Sequence, residues 1–230
     1  MTNATDIATT PAPQTIKRSV MIYSRYERFW HWTQALLVLV LIFTGFAVHG
    51  THHLIRFSTA VEVHTIAGVG LTILWIFTIF WQFTTGEWRH YAPKAGLFEM
   101  IKFYGYGILT GHQHPFHKSL KAKQNALQTM AYLGLALFIG PLLWASGILY
   151  LTYPWWKASL GWLGLGPVAA VHTAGAFLMV VFLIGHVYIV TTGRTVGEYF
   201  KQMVTGYDEI ELDPVEEKYL ETHHGGLRKR

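Results

Sequence analysis

His31, His64, His172 and His186 each lie within a long apolar stretch free of charged residues. At membrane depth an ionisable side chain is costly and faces the interior of a helix bundle, so each imidazole is a functional candidate. A neutral imidazole coordinates transition metals through one ring nitrogen. His172 and His186 are 14 residues apart, a helical rise of about 21 Å and a rotation about 40° short of four turns. They share nearly one face, close to opposite membrane surfaces. His31 and His64 open their stretches from opposite sides, so depth pairs His31 with His186 and His64 with His172. Two imidazoles at each of two depths are the axial ligands of two haems stacked along the membrane normal, and such a chain would carry electrons across or along a membrane.

Histidine also serves divalent-metal transport and plain hydrogen bonding within bundles. A zinc or copper pathway favours carboxylate or sulfur beside imidazole, whereas no Asp occurs in these stretches and Glu62 sits at a boundary. A histidine-lined metal carrier and a non-redox membrane anchor of a partner complex remain the competing readings. Small residues near the histidines, Gly45, Ala67, Gly68, Gly70, Ala174, Gly175, Ala176 and Gly185, leave room for a flat ligand and equally favour close helix packing. Two further groups, His49, His52 and His53, and His112, His114 and His117, read as loop residues able to bind metal or move protons.

The elements that must position the quartet are membrane helices. The chain is 51% hydrophobic and 13% charged over 230 residues, well away from soluble composition. Residues 29–48, 63–83, 126–151 and 168–190 each exceed the ~18 residues that a spanning helix needs. None shows the alternation of a membrane barrel. The expected fold is an all-α integral membrane protein, a four-helix bundle holding two stacked b haems. Sixteen of the eighteen Lys and Arg residues precede the first stretch, lie between the second and third, or follow the fourth. Only Arg56 and Lys157 fall on the other side, which predicts both termini in the cytoplasm. That placement accounts for the net charge of +5 without a nucleic-acid partner. There is no Cys, which removes disulfides, thiolate-held clusters and covalent haem attachment.

Residues 1–22 read as a disordered cytoplasmic tail, 23–206 as the membrane domain and 207–230 as a cytoplasmic C-terminal tail. The first stretch lacks a clear signal-peptidase site and is expected to be retained with His31. Residues 96–109 suit either an interfacial helix or a loop with aromatic anchors. Trp30 and Trp32 at one surface, and Tyr150, Tyr153, Trp155, Trp156 and Trp162 at the other, form an aromatic belt. Pro141 predicts a kink or local unwinding of the third helix, where Gly134, Gly140 and Gly147 allow close approach. Arg25, Arg28, Arg194 and Arg56 suit haem propionates or lipid headgroups.

With these residues in view, the chain resembles the di-haem cytochrome b (gamma) subunit of respiratory formate dehydrogenases. It is similar also to the related anchors of thiosulfate or tetrathionate reductases and of nickel–iron hydrogenases. The resemblance runs from about residue 23 to 206. It is carried by Arg28-Phe29-Trp30-His31-Trp32, by Val63-His64 with Gly68, and by Val171-His172-Thr173-Ala174-Gly175 followed by Gly185-His186-Val187-Tyr188. It implies haem ligation by His31 with His186 (inner) and His64 with His172 (outer). It also implies a quinone pocket beside the inner haem at Lys123-Gln124-Asn125-Ala126-Leu127-Gln128, with Asn125 facing the quinone. Asn125 and Gln128 equally suit a helix cap.

The implied partners are an extracytoplasmic iron–sulfur or multihaem cytochrome subunit, quinone and membrane lipid. The implied task is electron transfer between that partner and quinone, in either direction, within an oxidoreductase complex of the bacterial inner membrane. The segment 150–166, with Trp155 and Trp156, and the histidine-rich second loop depart from the formate dehydrogenase pattern.

Overall fold

The computed structural model describes residues 16–112, 115–116, 123–159, 164–193, 195–212 and 214–223. The expected features at His114, His117, Lys118, Lys121, Trp162, Arg194 and the basic residues 228–230 lie outside the described residues.

Four helices are long and apolar enough to cross a membrane: Arg25–Val48, Phe57–Thr85, Ala126–Leu151 and Leu165–Val190. Their apolar side chains point largely outward, with Leu36, Ile66, Ile73, Phe80, Val181 and Ile184 exposed. A surface of that kind is stable in lipid and not in water.

The first helix, α1 (Arg25–Val48), begins four residues before the expected stretch because Ser24 and Glu27 form a capping box. The Glu27 amide donates to Ser24 Oγ at 3.2 Å, and the Ser24 amide donates to the Glu27 carboxylate at 2.7 Å. α2 (Phe57–Thr85) likewise begins earlier, at Phe57. A run of apolar residues marks what lipid must cover, whereas the helix itself continues until a cap or glycine ends it. Gly86, at φ 76°, closes α2.

Past a 3₁₀ turn (Glu87–Tyr91), the amphipathic α3 (Leu97–Gly105) buries Met100, Phe103 and Tyr104 while Phe98 and Ile101 stay exposed. Of the two expectations for 96–109, the helix is the one observed. The third spanning segment is α4 (Ala126–Gly134), a π-helical turn (Leu135–Ile139) and α5 (Gly140–Leu151). Pro141 lacks an amide proton and its ring crowds the carbonyl four residues back. The chain answers with a five-residue step, in which the Gly140 amide bonds the Leu135 carbonyl. The one-turn α6 (Tyr153–Trp156) precedes α7 (Leu165–Val190).

α1 packs chiefly on α2, and α5 chiefly on α7, so the bundle is two antiparallel pairs facing each other. Trp75 of α2 joins them. Its indole donates to Gln34 Oε1 at 3.1 Å, meets Trp144 edge-on, and lies so close over Gly140 that a Cβ there would sit 2.2 Å from the ring. Gly140 thus admits a tryptophan to mid-bundle.

The tails differ from expectation. Residues Ile16–Met21 form strand β1, which pairs antiparallel with β2 (Tyr207–Leu212). Residues 16–21, expected within a disordered tail, are therefore a strand, and among the described residues the fold is helical with one small sheet. α8 (Glu198–Thr205) leads into β2, and α9 (Pro214–His223) covers the strands. Val20, Ile22, Ile210, Leu212 and Leu220 form the buried centre of this clasp. The Arg18 guanidinium pairs with Glu217 across it. Two isolated strands are marginal in water; the apolar face under α9 stabilises them.

Candidate functional site

The clasp lies where α1 starts and α7 ends, and that end of the bundle is the terminal side. The Ile22 and Tyr23 amides donate to the Gly206 carbonyl at 2.8 and 3.1 Å. Arg28 donates to the Val204 carbonyl at 2.6 Å, and the Trp32 indole donates to that of Met203 at 3.1 Å. Arg28, expected near a propionate or headgroup, ties α1 to α8 through this bond, while its Nε has no hydrogen-bond partner among the described residues.

Just inside this end, the ring centroids of His31 and His186 are 6.1 Å apart. At the distal end, His64 and His172 are 6.2 Å apart. The structure therefore brings together both couples expected from depth, each bridging the two helix pairs. Imidazole nitrogens bind first-row metals at about 2.0–2.1 Å and lie about 1.1 Å from the ring centroid, so two rings on opposite sides of one ion have centroids about 6.2–6.4 Å apart. Both couples have the separation that two imidazoles sharing one metal would need. Two half-buried imidazoles per couple, with no carboxylate within the spanning stretches that carry them, are a donor set that would suit a haem iron. Among the described residues, no group of three or more His, Asp or Glu side chains converges to hold a metal ion by itself.

The two couples are supported differently. At the distal end, His64 Nδ1 is 2.9 Å from Thr44 Oγ1, and His172 Nδ1 is 2.9 Å from Ser146 Oγ. Each hydroxyl donates its own proton to the carbonyl one turn back, Thr44 to Val40 at 2.7 Å and Ser146 to Leu142 at 2.6 Å. It therefore accepts from the imidazole, which fixes the proton on Nδ1 and leaves the Nε2 lone pair free. A Cβ on Gly45 would meet His64 Cε1 at 3.5 Å, and one on Gly147 would meet His172 Cε1 at 3.5 Å. The same dipeptide device, hydroxyl then glycine, thus serves each distal histidine. At the terminal end, His31 meets Trp32 edge-on, while His186 stacks on Phe182 and has Tyr132 beside it. His31 Nδ1 is buried without a hydrogen-bond partner among the described residues.

Asn125 is 2% exposed. Its Oδ1 accepts from the Gln128 amide at 2.8 Å, the Gln128 side chain accepts from the Asn125 amide at 3.0 Å, and Asn125 Nδ2 donates to the Tyr104 hydroxyl at 3.1 Å. Its observed work is capping α4 and tying that cap to α3. Nearby, Lys123 pairs with Glu27 at 3.0 Å and Glu87 at 3.2 Å. Burial, aided by the Lys123 charge, holds His90 below the usual imidazole range although Glu87 is 3.5 Å away. Burial raises the Tyr91 phenol. Tyr91 and Tyr132 are 6.2 Å apart, and Tyr132 lies 6.3 Å from His186, so aromatic rings lead from this polar cluster to the terminal couple.

Of the loop histidines, His52 stacks on Phe43 and its Nε2 lies 2.9 Å from the Phe43 carbonyl, while His49 Nε2 lies 3.3 Å from Thr173 Oγ1. They fasten the first loop to the bundle. Sequence reasoning missed Thr44, Ser146, Trp75 and the Lys123 cluster. The repeated pairs Thr44-Gly45 and Ser146-Gly147 were the available signal, hidden because they stand 20 and 26 residues before their histidines.

The family profile of the prokaryotic cytochrome b561 proteins matches residues 22–206. The chain belongs to that family. Its span begins where the clasp meets α1 and ends at Gly206, so it contains all four histidines. A cytochrome b561 carries haem b and transfers electrons. The chain is also similar to the YdhU protein of Escherichia coli (strain K12), described as a cytochrome, with 34% identity over 200 residues that cover 82% of this chain and 74% of that protein.

Proposed function

We propose that this b561 family member holds two b haems and moves electrons between an extracytoplasmic redox partner and the quinone pool. In this reading it is the membrane subunit of an oxidoreductase complex in the bacterial inner membrane, of the formate dehydrogenase, sulfur-oxyanion reductase or nickel–iron hydrogenase type. The observation that carries it is the pair of imidazole couples, each spaced for one iron and set at opposite ends of the same bundle.

His31 and His186 would hold one haem, and His64 and His172 the other. Haem supplies the one-electron chemistry, and the chain's own residues supply position and surroundings. Thr44 and Ser146 orient the distal imidazoles; Phe182 and Tyr132 pack the terminal one. The basic loops support a cytoplasmic terminal side in this reading. Quinone reduction consumes protons together with electrons, and the Glu27, Lys123, Glu87 and His90 cluster offers exchangeable protons at that end. Asn125 serves a quinone there chiefly by fixing Tyr104 and the start of α4.

Purified full-length protein assayed as pyridine haemochrome should give two protohaems per chain. His31→Ala and His186→Ala should each remove one haem, and the same one, since a double variant should lose no more. His64→Ala and His172→Ala should remove the other. A colourless preparation from haem-sufficient cells, or additive losses within a couple, would overturn the reading.

A further inference from the structure

The two couples differ most in what their outward nitrogens touch. Thr44 is 2% and Ser146 3% exposed, and each accepts from one distal imidazole while donating along its own helix. Each hydroxyl also approaches a second carbonyl of its own helix, Leu41 at 3.3 Å and Leu143 at 3.1 Å, so its proton is directed away from the imidazole. Hydrogen bonds in such a chain polarise one another, N–H toward hydroxyl toward carbonyl. Among the described residues, His31 and His186 make ring contacts only.

We propose that Thr44 and Ser146 are paired positioning residues that hold the distal haem at a lower reduction potential than the terminal one. This rests on the two-haem reading above. An Nδ1–H engaged with an acceptor makes the opposite nitrogen more basic. A more basic axial ligand stabilises ferric over ferrous iron, which lowers the potential. The terminal imidazoles lack that push. Gly45 and Gly147 flank the same rings, where an added Cβ would come into van der Waals contact with Cε1 at 3.5 Å. The duplication on α1 against α2, and on α5 against α7, supplies both axial ligands of one centre and neither of the other.

The test is potentiometric titration of the full-length protein, following haem absorbance, with haem content measured on the same samples. Thr44→Val and Ser146→Ala should each shift one haem's midpoint potential upward, the double variant further, with the second haem unmoved. In a His31→Ala background, which retains the distal haem alone, the shift should persist. Thr44→Ser and Ser146→Thr keep the hydroxyl and should keep the wild-type potential. Should the double variant lose the distal haem, these conservative exchanges decide: a potential displaced as far as in the single Val or Ala variants overturns the proposal. Two retained haems with unmoved potentials overturn it alone, whereas a haem-free wild type overturns the functional reading with it.

Discussion

At the scale of single residues, Asn125 shows how one side chain serves two elements. Its amide caps α4 through Oδ1 and reaches α3 through Nδ2, with almost no exposure. Asn125→Ala removes the cap and the Nδ2 donor to the Tyr104 hydroxyl, and a lost cap alone costs about 0.5–2 kcal/mol. The variant should melt earlier by helical circular dichroism in detergent while binding both haems. Quinone turnover should fall with it, and Tyr104→Phe should reproduce part of that fall. An unchanged melting curve would show that the cap is dispensable. The resemblance placed Asn125 beside quinone, and the cap was equally visible in its spacing to Gln128. Its bond to Tyr104 was not, because the two residues are separated by 21 positions and a loop.

Among elements, the clasp does what the helices cannot do alone. α1 carries His31 and α7 carries His186, and their outer ends are joined through β1, β2 and α8. Gly206 is the joint: its φ is 87°, its carbonyl takes the amides of Ile22 and Tyr23, and a Cβ there would lie 2.7 Å from the Tyr23 carbonyl. A residue with a side chain meets both the left-handed backbone cost and a collision with backbone, together more than about 1 kcal/mol. Gly206→Ala should therefore loosen the clasp. It should speed loss of the terminal haem to an apo-globin acceptor while the distal haem stays, and equal loss rates for both haems would separate the clasp from His31 and His186. The strands escape a local reading because each is six residues long and they lie at opposite ends of the sequence.

For the whole molecule, the apolar exterior points to lipid as solvent and the basic residues predict the direction of insertion. Arg56 and Lys157 are the sole cations assigned to the loops of the distal side. That asymmetry predicts a cytoplasmic clasp. A fluorescent protein fused after Arg230 should fold and fluoresce, and alkaline phosphatase at the same place should stay inactive. The reverse pattern would invert the molecule and move the Lys123 cluster to the other compartment. The distal surface, with Trp155 83% exposed, would then face the cytoplasm as well.

Length, hydropathy and the periodicity of a helix sufficed to determine four membrane helices and the depth pairing of their histidines. Both follow from distances along one chain segment: how many residues cross lipid, and how far a residue rises per turn. The interruption at Pro141 was legible for the same reason, since proline acts on its own backbone. The hydroxyls behind His64 and His172, the indole of Trp75 over Gly140 and the strand that joins the two tails were decided only by tertiary structure. Each is a contact across helices or between chain ends, and its partner depends on how those elements rotate and cross, which no local pattern of residues specifies.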